Sequence, residues 1–102
     1  MLTIENIKRI EGQKITIKGL DWKIIGATQM NDGKPQYHFY LNHGSNFRTI
    51  YLDRIINTPK NSGNIPNKDY YKLHTSQTAK YVTTEELRSV GSTLFWLEQV
   101  CG

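Results

Sequence analysis

The sequence predicts an α+β fold: a curved antiparallel sheet of four to five strands, with a short N-terminal helix and a C-terminal amphipathic helix packed on it. Three observations carry that expectation. Between Gln13 and Leu52 apolar residues recur at every second position, broken by turn signals at short intervals. At Ile4, Ile7 and Ile10, and again from Leu87 to Val100, the spacing changes to three or four. The last segment also opens on residues that cap helices. A chain of 102 residues is the length of one domain (1–102), and it can bury a core without disulfides or metals.

The elements follow in order. Thr3 can cap the first helix and Gly12 can end it. Ile15 and Ile17 then alternate with Lys14, Thr16 and Lys18, which describes a strand with one apolar and one cationic face. A turn at Gly19-Leu20-Asp21 leads into a strand from Trp22 to Met30, where Gly26 signals a bulge or bend. Asn31-Asp32-Gly33-Lys34 is a hairpin signal, because Asp-Gly adopts positive φ readily. In the partner strand, Gln36 to Asn42, Tyr37, Phe39 and Leu41 share one face and His38 and Tyr40 the other. After the turn at His43-Gly44-Ser45-Asn46, Ile50 and Leu52 oppose Phe47, Thr49 and Tyr51. Four strands in meander order result, and Tyr70 to His74 reads as a further one. An SH3-like or OB-like small barrel is the nearest variant of such short, bent strands.

Residues 57–68 form a long polar loop with two prolines, and loops of that kind are usually functional or disordered. Thr83-Thr84-Glu85-Glu86 is a capping box, flanked by Val82 and Leu87 at hydrophobic-staple positions. It predicts a helix from about 84 to 100, with Leu87, Val90, Leu94, Leu97 and Val100 as the buried stripe, widened by Phe95 and Trp96. Gly91 inside it predicts close approach of another backbone.

Charge and composition bound the function. Residues 7–83 hold 12 of the 13 lysines and arginines against five acidic residues, so a basic body precedes a mildly acidic tail. Such a body attracts polyanions, and a charge of this size also serves solubility. The abundance of Ile, Lys, Asn and Tyr, residues with A·T-rich codons, hints at a low-GC bacterium or phage. The single cysteine, Cys101, cannot pair within the chain, which favours a reducing, cytoplasmic setting. Met1-Leu2-Thr3-Ile4-Glu5 lacks a signal-peptide pattern, and the longest apolar run, Leu94 to Leu97, is far below the roughly 20 residues of a membrane span.

No sequence motif for catalysis, metal or cofactor is present. Gly12, Gly19, Gly26 and Gly33 match neither phosphate-loop fingerprint. His38, His43 and His74 lack a Cys or carboxylate pair at ligand spacing. No cofactor, membrane partner or small-molecule substrate is therefore expected. The outward strand face instead collects Lys14, Lys18, His38, Tyr40, Phe47 and Tyr51, and the long loop adds Lys60 and Lys68. Rings stack on bases and lysines neutralise phosphates, so that face suits nucleic acid or a nucleoprotein complex. The same rings also serve as cross-strand pairs that stabilise a sheet. Two further expectations stand beside non-enzymatic binding. One is an inhibitor, of phage or mobile-element type, that docks on a host protein and needs only a shaped surface. The other is a small metal-independent ribonuclease, for which Tyr70, Tyr71, Lys72, His74, Lys80, Tyr81 and Arg88 could supply acid, base and cations.

Overall fold

The computed structural model describes residues 4–30, 36–55 and 70–102. Alternation of apolar and polar residues yields six strands rather than four or five: β1 (Lys14–Ile17), β2 (Leu20–Met30), β3 (Gln36–His43), β4 (Asn46–Ile55), β5 (Tyr70–His74) and β6 (Ala79–Thr83). They pair antiparallel in chain order and curl into a half-barrel. The added strand is β6, where only Val82 is buried, so its sequence carries almost no alternation. Among the described strands β6 does not return to β1, and no closed barrel of SH3 or OB type forms.

Register follows the sequence pattern closely. Ile15, Ile17, Trp22, Ile24, Tyr37, Phe39, Leu41, Ile50 and Leu52 all lie inward and buried. The bulge expected near Gly26 is present: β2 shifts register against β3 between Ile24 and Gly26, leaving Ile25 exposed. The β1–β2 turn is tighter than its sequence suggests. Lys18 and Gly19 both have positive φ, 51° and 82°, the two-residue geometry that suits strand twist. Lys18 thus sits in the turn and not on the strand face. The turn at 31–34 and the loop at 57–68, with Lys60 and Lys68, lie outside the described residues.

Helix α1 (Ile4–Lys8) lies against β2 and buries Ile7, with Ile10 following it into the core. The C-terminal segment departs from the single helix expected over 84–100. The capping box forms: the Thr83 amide donates to Glu86 Oε1 at 2.9 Å, and the Glu86 amide donates to Thr83 Oγ at 3.3 Å. It starts only one 3-10 turn, Glu85–Leu87. The chain then extends at Ser89 (φ −92°, ψ 149°), whose hydroxyl accepts from the Ser92 amide and caps helix α2 (Val90–Cys101). Thr93 Oγ donates toward the carbonyls of Leu87 and Ser89, securing the break. Two cap signals six residues apart therefore make two elements.

Restarting at Ser89 sets the buried stripe of α2 as Thr93, Leu97 and Val100, with Val90, Leu94, Trp96 and Cys101 partly buried beside it. Two expectations fail here. Phe95 does not widen the stripe; it is 53% exposed and meets Trp96 edge-on. Gly91 touches no other backbone: a Cβ there would meet nothing within 4 Å.

Helix α2 packs against β1, β5 and β6, spanning the two edges that the sheet leaves apart. Glu98 accepts from the Thr16 amide of β1 at 3.3 Å. Leu97→Ala should therefore lower stability by about 2–5 kcal/mol, through lost contacts and a cavity. Half-buried Leu94→Ala should cost less. A denaturation midpoint that moves equally for both would show that α2 is not seated as described. Thr83→Ala should cost about 1 kcal/mol by dissolving the box, read in the same urea titration.

Candidate functional site: the outer face of the sheet

Because strand side chains alternate, the residues left outward by the core form rows across the sheet. One row runs Lys14, Lys23, Asn42, Phe47. A second runs Thr28, His38, Tyr51, His74 and ends at Ala79. A third runs Gln36, Asp53, Lys72, Tyr81. Tyr40 lies between the first two, opposite Gly26, where even a Cβ would make only ordinary contact with the ring, 4.0 Å from Tyr40 Cδ2.

The centre of this face is a hydrogen-bonded chain of side chains. Tyr40 shares a 3.1 Å hydrogen bond with Thr28 and approaches His38 Nδ1 at 3.5 Å. His38 Nε2–H donates to Gln36 Oε1 at 2.6 Å, and the Gln36 amide donates in turn to Asp53 Oδ1. From the other side His74 Nε2–H donates to Asp53 Oδ2 at 2.7 Å. Gln36 and His74 thus donate to Asp53 directly and His38 is linked to it through Gln36, so one carboxylate on β4 orients groups on both neighbouring strands. Tyr51 packs between the two imidazoles. Its ring is stacked on His74 (centroids 5.4 Å, 28°) and meets His38 edge-on (4.9 Å, 90°).

Of the residues the sequence singles out, His38, Tyr40 and Tyr51 are brought into contact. Lys14 and Phe47 occupy the neighbouring row, and Phe47 is 72% exposed. Lys18 is apart, at the end of the half-barrel. Sequence reasoning missed Gln36, Asp53, Lys23 and Lys72 as members of the face, and it left His74 out of the binding surface. The alternation that selects His38 and Tyr51 reaches Gln36 and Asp53 two residues further along the same strands. The His74–Asp53 pair, 21 residues apart, becomes visible only once β4 is paired with β5. Among the described residues no three or more His, Cys, Asp or Glu gather at metal-binding distance, and no helix is long and apolar enough to cross a membrane.

Asp53→Asn places an amide where one of two donors points. The variant should lose about 1 kcal/mol, as half-exposed hydrogen bonds are worth roughly that. An unmoved denaturation midpoint would mean that the network holds nothing in place. Comparison of the chain with protein-family profiles, with curated proteins and with solved structures gave no match.

Proposed function

We propose that the protein binds single-stranded nucleic acid, alone or within a nucleoprotein complex, on the outer face of the sheet, without catalysing a reaction and in a reducing, cytoplasmic setting. The observation that carries this reading is the row Lys14, Lys23, Asn42, Phe47 beside the Tyr40–His38–Tyr51–His74 patch. It sets two cations and an open ring next to a tract of aromatic surface. Stacking on Phe47 and the tyrosines is indifferent to base identity, while Lys14, Lys23 and Lys72 meet the backbone. Lys60 and Lys68 belong to the reading as further phosphate contacts.

The ribonuclease alternative draws on the His74–Asp53 pair, since a carboxylate orients an imidazole for proton transfer. Against it stands His38, whose two ring nitrogens are already engaged by Gln36 and Tyr40. The inhibitor alternative draws on exposed Phe47 as an anchor for a host protein.

Fluorescence anisotropy with labelled single-stranded DNA and RNA at two salt concentrations separates the three. Lys14→Ala and Lys23→Ala should each weaken binding to every sequence and lower the slope of log K against log salt by about 0.7. Phe47→Ala should cost about 1–3 kcal/mol with little change in slope. Affinity weaker than about 100 μM at low salt for both nucleic acids would sink the reading. Cleavage of the RNA in EDTA, abolished by His74→Ala, would replace it with the ribonuclease.

A further inference from the structure

Strand β5 pairs with β4 only from Tyr51 onward, opposite His74. Residues 46–50 of β4 therefore run on beyond the end of β5, and half their backbone groups point away from β3. The β5–β6 turn, residues 75–78, and the last turn of α2 wall this gap, leaving a cavity of about 400 Å³ at the end of the half-barrel. It is bordered by Lys18 from the β1–β2 turn, Arg48 and Thr49 from β4, and Cys101 from α2.

Arg48 shares the strand parity of Ile50 and Leu52, so a guanidinium stands where the core pattern calls for an apolar side chain. It lies 4.9 Å over the Trp22 ring and beside the Cys101 sulfur. Trp22 in turn packs against His43, whose Nδ1–H donates to the Asp21 carbonyl. Among the described residues neither Arg48 nor Lys18 forms a salt bridge with a carboxylate. Burial pushes the Cys101 thiol above its usual value, against the pull of Arg48, so at neutral pH it does not neutralise the guanidinium. Cations also suit a helix C-terminus, and the end of α2, where the Gly102 amide donates to the Glu98 carbonyl at 2.8 Å, forms one wall beside them. The opposite wall is hydroxylic. Thr75 Oγ accepts from the amides of Gln77 and Thr78, leaving its proton to donate outward, and Ser76 and Thr78 add two more hydroxyls.

We propose that this cavity is a binding site for a small phosphorylated ligand, its phosphoryl group held between Arg48 and Lys18 and its oxygens met by the hydroxyls of the 75–78 turn. A planar carboxylate would be satisfied by one guanidinium fork; two cations and several hydroxyl donors suit a doubly charged, tetrahedral oxyanion. The volume, in the range of small-molecule pockets, leaves room for an organic moiety behind that group. The cavity shares Tyr51 with the outer-face patch, but Arg48, Lys18 and the 75–78 turn lie outside that patch, so the proposal does not rest on the outer-face reading.

The test is a titration of the 15N-labelled full chain, followed by NMR, with inorganic phosphate, AMP and adenosine. Phosphate and AMP should shift amides at 18–19, 48–50, 75–78 and 100–102, with a Kd of about 1 mM or tighter. Both should slow alkylation of Cys101, and adenosine should do neither. Lys18→Gln, in an exposed turn, should weaken AMP at least threefold. Arg48→Gln should abolish binding, with Arg48→Lys retaining part of it and guarding against loss of the Trp22 contact as the cause. Tighter, Arg48-dependent binding of a 5′-phosphorylated oligonucleotide over its 5′-hydroxyl form would name a strand end as the source of the phosphate. Equal binding of the two would name a free small molecule. No shift at these amides with about 10 mM phosphate and AMP, or equal shifts with adenosine, would overturn the proposal. So would shifts spread evenly over Lys14, Lys23 and Lys72.

Discussion

A six-stranded meander that curls without closing leaves two edges, β1 and β6, and everything else in the structure accommodates that fact. Unpaired strand edges expose backbone donors and acceptors and invite pairing with other chains. Helix α2 deals with both at once by lying across the opening, against β1 on one side and β5 and β6 on the other. Its Glu98 takes up the Thr16 amide at the β1 edge, a side chain acting in place of a missing strand. The inward stripe of Thr93, Leu97 and Val100 completes the core that the sheet alone would leave open to water.

With the inner face committed to that core, the outer face is free of packing demands, and its composition shows it. The inner face of the strands is mostly aliphatic and aromatic, with Tyr37 and Tyr71 among its buried residues; the outward rows hold mainly His, Tyr, Gln, Asn, Asp and Lys, with Phe47 exposed among them. Rings of this kind still pack laterally, which is why Tyr51 contributes to sheet stability and to surface chemistry together. Asp53 is the pivot. Without its carboxylate the imidazole of His74 and the amide of Gln36 would have no common acceptor, and the orientation of His38 would follow.

The parts of this arrangement legible in the sequence are those governed by local periodicity and local caps. Alternation placed Ile15, Ile17, Tyr37, Phe39, Leu41, Ile50 and Leu52 inward, and Gly26 marked its bulge. The capping box at Thr83 was equally legible, yet it misled about helix length, since a second cap at Ser89 competes for the same segment and tertiary packing decides between them. Gly91 misled for a related reason: its place in the first turn of α2 answers to the end of the helix and not to a neighbouring backbone. The register of β4 against β5, and hence the His74–Asp53 pair, depends on contacts across a long connection, for which no local pattern exists. Lys18 was assigned to a strand face because alternation carries on through a two-residue turn without a visible break.

Arg48 shows how such an exception is to be read. An arginine in phase with Ile50 and Leu52 breaks the apolar pattern at one position, and it does so where β5 has ended and the sheet can no longer cover the core. A leucine there would leave apolar surface facing the gap; an arginine covers the Trp22 ring with its guanidinium and keeps the remaining donors in the cavity. The short β5, the gap, the arginine and the hydroxyl-bearing turn at 75–78 are consequences of the same incomplete closure that makes α2 necessary. The open end of the half-barrel is thus where the fold has polar groups held in place by packing but not consumed by it, and that is the physical condition for a binding site.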